Sequence, residues 1–422
     1  MLVSFIPLSR AQLGKTNASL EKSGYIDFDL LSLDPIKIEP MSIGPIKLHS
    51  EVINIGDSTD SYALFRVEDL PSHWSSALCV EGRCWRPDID TIWTALTLNP
   101  MEMDTLSAYI YPDIIEGSGS VTLTVRSHAD PNTTRSIELV AITSGTDILV
   151  VDDDEEDGYE GYYEDALGEN ALYGTWIRSY KEVTSEDLAH FEAVIWETGD
   201  VLPALTPADQ SALAEYLDNG GNLFLSGQDI GYSLCDPASP DCSQASCDFY
   251  QNYLHAGYQS NSSDDVSLTG VFGDAISHGL EIDIAGGDGA DNQTSPSVIS
   301  PLGPAREVFK YDESQVGAVR VETGTYKVVY FAFGFEAISS EILRQGIMKN
   351  ILNRFAYDGE KGDVDNNHTV NVLDVLSAAN IILALLDPTP DQSWRADFDN
   401  NEQINVLDLI GIVNVILGGG VK

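Results

Sequence analysis

A repeat near the C-terminus constrains the fold of this chain more than any other feature of its sequence. The segment GDVDNNHTVNVLDVLSAANIIL, residues 362–383, aligns without gaps with ADFDNNEQINVLDLIGIVNVIL, residues 396–417, at an offset of 34 residues. The linker DPTPDQSW lies between the two copies. In each copy an acidic, asparagine-rich loop precedes an apolar helix, which we expect over 373–383 and 407–417. The sequence therefore predicts two matching loop–helix units.

The oxygen-bearing side chains of each copy have the spacing of a calcium loop. Such a loop presents oxygen ligands at positions 1, 3, 5, 7, 9 and 12, and position 7 uses its backbone carbonyl. In the first copy these positions hold Asp363, Asp365, Asn367, Thr369, Asn371 and Asp374. In the second copy they hold Asp397, Asp399, Asn401, Gln403, Asn405 and Asp408. The sequence therefore predicts two Ca²⁺ ions, one in each loop; the alternative is a pair of solvated acidic loops.

A pair of such repeats, with GD opening the first loop, resembles the dockerin family. The resemblance covers residues 360–422 and implies a small α domain with two EF-hand-like loops that bind two Ca²⁺ ions. It also implies docking to a cohesin module of a scaffold or cell-surface protein. The family's partner-reading positions are apolar and identical in the two copies: Val372, Leu373, Val406 and Leu407. We expect some of these side chains to pack in the small core instead.

The sequence departs from the dockerin pattern at two loop positions. The glycine of position 6 is replaced by His368 and Glu402. A residue with a Cβ at this position must adopt a positive φ, which costs about 1 kcal/mol. Position 5 is asparagine in both copies, so each loop has three formal carboxylates and a lowered expected affinity.

The charge balance limits the classes of partner. The chain has 67 acidic and 22 basic residues and a formal net charge of −45, which disfavours nucleic acid and anionic membranes. No apolar run is long enough to span a bilayer, so we expect no membrane insertion. Hydrophobic residues make up 43%, enough to bury real cores.

The cysteines indicate an oxidising compartment. They are Cys79, Cys84, Cys235, Cys242 and Cys247. The first two flank a tight EGR turn, and the other three cluster in CDPASPDCSQASC, whose pairing the sequence leaves open. Short loops closed by cysteines are typical of secreted proteins; the rival interpretation, a metal site, lacks a CxxC pair and a suitably spaced histidine. Residues 1–8 do not read as a signal peptide. We therefore expect an extracellular protein with a further upstream part.

Residues 1–145 predict an all-β domain. Short alternating strands recur between turns, and prolines at regular intervals place segment 34–49 on an edge strand or an extended lead-in. The segments EVINIGDSTDSYALFRVEDLPSHW and LNPMEMDTLSAYIYP resemble the Ig-like β-sandwich modules of bacterial secreted enzymes. We expect Trp74 and Trp93 to pack in the core of this sandwich.

Residues 146–357 predict an α/β domain with a doubly wound, flavodoxin-like parallel sheet. The apolar strands DILVV, AVIW, NLFLS and VVYFAF alternate with amphipathic helices. One helix is expected to begin at Thr206, with Pro207 in its first turn and Asp209 completing a capping box, and another to cover 340–355. Segment 232–320 has few helical signals, and we interpret it as an insertion.

The motifs WETGD, YLDNGGNLFLSGQDIG and FAFGFEAISSEILRQGIMKNILNRF resemble the class I glutamine amidotransferase fold. Catalysis in that family needs a cysteine on the nucleophile turn and a His-x-Glu on a late strand. Here the nucleophile turn reads Ser226-Gly227-Gln228-Asp229, and Gly334 stands in place of the histidine while Glu336 remains. The resemblance therefore implies a degenerate domain, and we assign no catalytic residue.

Three other chemistries compete for the α/β domain. A response-regulator receiver, with Glu197 at its phosphorylated position, is excluded because the needed lysine is missing and segment 232–320 is too long. A serine hydrolase built on Ser226 with His255 or His278 lacks the GxSxG elbow. The acidic run 152–157 follows the first strand, where open α/β sheets place ligands, so it could hold a cation. A solvated loop is the other interpretation of that run.

These patterns together predict a secreted, non-catalytic region of a multidomain protein. Its dockerin would attach an extracellular peptidase or a polysaccharide-degrading activity to a cohesin-bearing partner. The alternatives are a metal-assisted hydrolase that uses Asp152–Asp154, and a surface structural protein in which calcium only confers rigidity.

Overall fold

The computed structural model describes residues 25–41, 44–80, 82–155, 157–168 and 171–418. The segment 1–8, considered and rejected above as a signal peptide, lies outside the described residues, as do Glu156 of the acidic run and 419–422 of the segment predicted to be a dockerin. None of the helices in the described part of the chain combines the length and the apolar character that crossing a bilayer requires.

The N-terminal region is a sandwich of two β-sheets. Its strands are β1 (Phe28–Ser32), β2 (Ile36–Glu39), β3 (Ile46–Asn54), β4 (Asp60–Asp69), β5 (Ser75–Val80), β6 (Arg83–Cys84), β7 (Thr91–Leu98), β8 (Met103–Tyr111), β9 (Ser118–Ser127) and β10 (Thr134–Thr143). One sheet has the order β1-β3-β8-β5-β6 and the other β2-β10-β9-β4-β7. Alternate residues of β3, from Ile46 to Val52, are buried, which is the pattern of a strand with one face on a core.

The structure confirms one detail of the proline-rich segment and corrects one tryptophan. Strand β2 lies at a sheet edge, where the prolines placed it. Trp74 is buried and donates its indole N–H to the Ile115 carbonyl. The core prediction for Trp93 is wrong, because 64% of that residue is exposed. In β7 the residue before it, Ile92, faces the core, so the alternation of the strand turns Trp93 outward.

The middle region is an α/β sheet whose helices cover both faces. Its first strands and helices are β11 (Ile148–Asp152), α1 (Glu160–Leu167), β12 (Tyr173–Ile177), α2 (Ser185–Leu188), β13 (Ala193–Glu197), α3 (Pro207–Asp218), β14 (Asn222–Ser226), α4 (Ile230–Cys235) and α5 (Gln244–Tyr253). Then follow β15 (Ala256–Ser260), β16 (Ser267–Gly270), β17 (Glu281–Asp283), β18 (Val298–Pro301), β19 (Arg306–Lys310), β20 (Val316–Glu322), β21 (Lys327–Phe331) and α6 (Glu341–Ala356).

The parallel part of this sheet has the order β12-β11-β13-β14-β21. In chain order that is 2-1-3-4-5, the doubly wound order with its switch point between the first and third strands. Val151 of β11 packs in one core with Leu213 of α3, and Val150 packs in the other core with Met348 of α6. The strands are apolar throughout because successive side chains enter opposite cores. Thr206 caps α3 in a capping box with Asp209, as expected.

The segment interpreted as an insertion lies in the chain between β14 and β21, which pair directly, and its strands extend the sheet. Strands β20, β19, β16 and β17 extend the parallel part by antiparallel pairing, and β15 and β18 pair beside them. The sequence did not predict helix α5, which Ser243 caps in a capping box with Ser246.

The structure contains two disulfides. One joins Cys235 to Cys247 and links α4 to α5, and the other joins Cys79 on β5 to Cys84 on β6. Cys242 is unpaired.

The C-terminal region contains α7 (Val372–Ile382), α8 (Pro390–Ala396) and α9 (Val406–Ile416). Helices α7 and α9 follow the two acidic loops within one residue of the expected bounds. A small core lies between them and contains Val364, Ala378, Ala396, Phe398 and Ile412. The helix α8 lies in the linker and was not expected.

The second copy of the repeat packs against the α/β region. Phe398 lies 5.0 Å, between ring centroids, from His278, and the Asn400 side chain donates to the Ala275 carbonyl. Glu402 pairs with Lys349 of α6. Glu360, just before the first loop, also pairs with Arg320 of β20, so contacts from the second loop and from Glu360 join the C-terminal region to the α/β region.

Candidate metal sites

The first loop brings three of its six expected ligand residues together. Carboxylate oxygens of Asp363, Asp365 and Asp374 lie within 4.8 Å of one another, an arrangement that can hold a metal ion. Backbone N–H groups hold all three side chains in place, including Asp365, which accepts from Asn367 at 3.2 Å. Asp363 accepts from Asn367 at 3.0 Å and from His368 at 2.8 Å, and Asp374 accepts from Asp365 at 3.1 Å. The carboxylates are therefore oriented by the loop itself.

The second loop has the same arrangement of carboxylates and the corresponding backbone hydrogen bonds. Carboxylate oxygens of Asp397, Asp399 and Asp408 lie within 4.8 Å of one another. Asp397 accepts from the N–H groups of Asn401 and Glu402, each at 3.1 Å. Asp408 accepts from Asp399 at 3.2 Å. Burial raises the pKa of Asp397, as it raises that of Asp374 in the first loop, so each loop has a carboxyl that a cation would help to ionise.

Position 6 has the positive φ that the sequence predicts. The φ angle is 66° at His368 and 64° at Glu402. This conformation aims each N–H at the carboxylate of loop position 1. A glycine would adopt it without the Cβ penalty, so the chain accepts a small strain in both loops to keep these hydrogen bonds.

The asparagines of position 9 act as helix caps. The Asn371 side chain accepts from the Leu373 N–H at 2.8 Å and donates to the Thr369 carbonyl at 2.9 Å. Asn405 makes the matching contacts with Leu407 and Gln403. In a calcium loop position 9 often acts through a water, so a cap at this position is compatible with a metal in the loop. It also ties each loop to the first turn of its helix.

The apolar residues that follow the loops face solvent. The exposed fraction is 70% for Val372, 56% for Leu373, and 60% for both Val406 and Leu407. The expectation that some of them pack in the small core is therefore wrong. The core is filled by residues farther along the helices, such as Ala378 and Ile412.

A third acidic group lies at the carboxyl edge of the parallel sheet. Asp152 ends β11 and Glu197 ends β13, and the two residues are register partners. Asp154 follows β11, and one oxygen from each of the three residues lies within 4.8 Å of the others. All three side chains are buried. Sequence reasoning placed Asp153 in this group, but its carboxylate accepts from the Trp196 indole N–H at 3.0 Å instead.

Electrostatics make this third group unusual. Burial raises the pKa of Asp152 to about 8 and raises the pKa of Glu197 well above its ordinary value. The neighbouring charges that act most strongly on Glu197 are those of Asp154, Glu336, Asp152 and Glu160, all of them acidic. Neither oxygen of Glu197 has a hydrogen-bond partner among the described residues.

The residues considered for nucleophilic chemistry have structural contacts. Ser226 is buried, donates to the Phe333 carbonyl at 3.0 Å and accepts from the Phe335 N–H at 2.8 Å. His278 accepts from the Gly273 N–H and lies at the interface with the C-terminal repeat. His255 contacts the Tyr326 hydroxyl.

The position that a catalytic histidine would occupy is closed. A Cβ added at Gly334 would lie 1.8 Å from Oε1 of Glu336. Glu336 is itself buried and accepts from the Tyr163 hydroxyl and the Asn292 amide, each at 2.8 Å. A histidine at this position would require Oε1 of Glu336, the oxygen that accepts from Asn292, to move.

Comparisons with known proteins give only weak similarities. No protein-family model and no curated protein sequence matches this chain. Among solved structures, the N-terminal domain of PorA is 15% identical, covers 29% of this chain and 98% of its own, and has a TM-score of 0.22. An exo-beta-1,4-mannosidase from Opitutaceae bacterium strain TAV5 is 14% identical over 50% of this chain and 34% of its own, with a TM-score of 0.31. The secreted serine protease VesC from Vibrio cholerae is 11% identical over 28% of this chain and 23% of its own, with a TM-score of 0.20. Scores this low assign neither fold nor function to this chain.

Proposed function

We propose that this chain is a secreted attachment region whose C-terminal loops each bind one Ca²⁺ ion and whose two helices dock to a cohesin module. The observation that carries the proposal is the pairing of each carboxylate triad with an exposed apolar surface directly after it. Because the two copies share this arrangement, a chance acidic loop does not account for it.

The exposed surface has the composition of a docking site. On each helix the exposed apolar side chains continue one turn beyond the first residue, at Leu376 after Val372 and at Ile410 after Val406. Contiguous exposed apolar residues are uncommon on a soluble monomer and mark interaction sites when they cluster. We define this docking surface as Val372, Leu373, Leu376, Val406, Leu407 and Ile410.

Calcium and the docking surface are coupled through the helix starts. Asp374, a member of the first triad, accepts from the Asn371 N–H, and Asn371 in turn caps the N–H of Leu373. Loss of the cation would free Asp374 to move away from Asp363 and Asp365, because three carboxylates repel one another. The first turn of α7, with half of the docking surface, would then lose its cap.

The remaining regions fit a supporting role in this proposal. We take the sandwich as Ig-like and the α/β region as a degenerate amidotransferase-like domain, supported by its strand order and the closed position at Gly334. The two disulfides support an extracellular location. The attached activity would be an extracellular peptidase or a polysaccharide-degrading enzyme.

Binding of the intact chain to a panel of cohesin modules tests the proposal. We expect capture by at least one cohesin in millimolar calcium and none in excess chelator. The double variant Leu373→Asp and Leu407→Asp should abolish capture while keeping both metal sites. Ile114→Asp is the matched control, since Ile114 is 76% exposed but lies on the sandwich.

Two results would reject the proposal. Capture that is unchanged by the double variant would show that the docking surface lies elsewhere. Calcium-dependent stability without capture by any cohesin would favour the structural alternative, in which calcium only confers rigidity.

A further inference from the structure

We infer that Asp152, Asp154 and Glu197 form a third cation site, in the α/β region, for one small hard divalent ion of the Mg²⁺ or Mn²⁺ class. The site is independent of the calcium loops, since it lies on β11 and β13 and shares no residue with them. Its evidence is the state of Glu197, the spacing of the oxygens and the place of the group in the fold.

The buried carboxylate of Glu197 has no hydrogen-bond partner among the described residues. The residue is fully buried, yet neither carboxylate oxygen shares a hydrogen bond with any residue of the described ranges. Burying such a group without a partner is costly whether it is charged or neutral. A protonated Glu197 would have an O–H to donate to a neighbouring carboxylate, and no such contact exists among the described residues. A cation between the carboxylates would satisfy Glu197.

No positive side chain of the described region neutralises this group. Arg178 is a basic residue whose charge lowers the pKa of the adjacent Asp153. Its guanidinium, however, donates to the Asp209 carboxylate at 2.8 and 3.2 Å. The backbone N–H groups of Asp157 and Tyr159 bind Asp154 alone, at 3.1 and 2.6 Å. These bonds fix Asp154 in position. Asp152 accepts one long hydrogen bond, from the Asp154 N–H at 3.4 Å, and Glu197 accepts none from the described residues.

The spacing of the oxygens fits ligands around one ion. The three ligand atoms lie within 4.8 Å of one another. Oxygens that share a cation at about 2.1 Å are about 3 Å apart when adjacent and about 4.2 Å apart when opposite. Three protein carboxylates leave several positions for water, which suits Mg²⁺ or Mn²⁺ better than Ca²⁺ with its six to eight ligands.

The place of the group in the fold gives an independent argument. Asp152 and Glu197 end the two strands that flank the switch point of the sheet, where open α/β sheets bind ligands. An adjoining cleft of about 660 Å³ is lined by Asp154, Glu155, Asp157 and Asp200, together with Ser179, Val201 and Leu202. Asp154 belongs to both the cleft and the buried group. The acidic cleft would concentrate cations at the entrance to the site.

Titration of the full chain with Mn²⁺, with the calcium loops kept saturated by millimolar Ca²⁺, tests this inference. Electron paramagnetic resonance of free Mn²⁺ gives the number of bound ions and their affinity. We expect one bound Mn²⁺ per chain and a loss of about 100-fold or more in affinity for Glu197→Gln and for Asp154→Asn. Asp157→Asn, an exposed cleft residue outside the buried group, should change the affinity less than about twofold.

Stability provides a second readout that does not depend on affinity. Without divalent ions, Glu197→Gln should melt at a higher temperature than the wild type, because folding of the wild type must either bury this carboxylate or protonate it, whereas the amide is neutral. With the calcium loops again saturated by millimolar Ca²⁺, added Mn²⁺ should raise the melting temperature of the wild type and leave that of Glu197→Gln unchanged.

Three results would overturn the inference. They are the absence of any Mn²⁺ bound beyond the calcium loops, equal affinity in Glu197→Gln and the wild type, and displacement of Mn²⁺ by calcium. The double loop variant Asp363→Ala and Asp397→Ala separates this site from the docking proposal, since it should keep the Mn²⁺ site while losing cohesin capture.

Discussion

Removal of calcium should unfold the C-terminal repeats while the two larger regions stay folded. The core between α7 and α9 has few fully buried side chains, among which Phe398 and Ile412 are the largest. A unit of this size rarely gains more than about 3–5 kcal/mol from its core. Each loop that binds calcium at a thousandfold excess over its Kd adds about 4 kcal/mol, so the two loops together add about 8 kcal/mol. Without calcium the two loops lose this contribution, and the small core alone must offset the repulsion among the three carboxylates of each loop.

Hydrogen exchange of the intact chain, measured by mass spectrometry, locates the effect. We expect the amides of α7 and α9 to be protected in millimolar calcium and to exchange rapidly in chelator, with β9 of the sandwich and β21 of the α/β region unchanged. Helix α7 should respond more than α9, because Phe398 and Asn400 anchor the second copy to the α/β region. The double variant Asp363→Ala and Asp397→Ala should behave in calcium as the wild type does in chelator.

A control and a refuting result follow from the same structure. Asp387→Ala removes an exposed carboxylate of the linker outside both loops, and its exchange should match that of the wild type. Identical protection of α7 with calcium and with chelator would show that the loops do not bind calcium in the folded chain. The reasoning from core size and repulsion would then be wrong.

Three smaller predictions concern single residues. Alkylation of the native, unreduced protein should label Cys242 alone among the five cysteines, as peptide mapping would show. Gly334→Ala should lower the free energy of unfolding by about 1–3 kcal/mol, because its Cβ would meet Glu336, whereas Gly346→Ala on the open face of α6 should raise it by up to about 1 kcal/mol. Burial lowers the pKa of His278 below its usual 6.5, so the folded state favours the neutral ring. The stability that the neutral ring provides should be complete above pH 6.5 and lost as the pH falls further, and His278→Asn should flatten this dependence in denaturant titrations.

The loops could be read from the sequence because their ligands are local. All six positions of a calcium loop lie within twelve residues, so the spacing itself carries the geometry. The positive φ at His368 and Glu402 followed from the same spacing. Helix α3 was readable for a similar reason, since Thr206 and Asp209 form a cap within four residues.

The sequence alone could not predict all three residues of the third cation group, because the group depends on how the strands pair. Glu197 joins Asp152 only through the parallel register of β11 and β13. A signal did exist, since both residues end apolar strands, and such ends converge at one edge of a parallel sheet. Placing Asp153 in the group was wrong because only alternate side chains near a strand end share a direction, and its carboxylate contacts Trp196 instead.

The sequence does contain a signal for the exposure of Trp93 and for helix α8. Trp93 lies out of phase with the buried Ile92, which predicts its exposure. Helix α8 begins with Thr389 and a capping box to Gln392 inside the linker. The exposure of Val372 and Leu373 had no such signal, because α7 is apolar on nearly every face and only packing decides which side chains enter the core.

Counting the calcium ions bound by the intact chain tests most directly whether the two loops are metal sites. Native mass spectrometry in calcium, without other divalent ions, should show two bound ions in the wild type. Asp363→Ala and Asp397→Ala should each lose one ion, and the double variant should lose both. A chain that binds no calcium, or whose count is the same in all four proteins, would contradict the assignment of both loops and the docking function built on it.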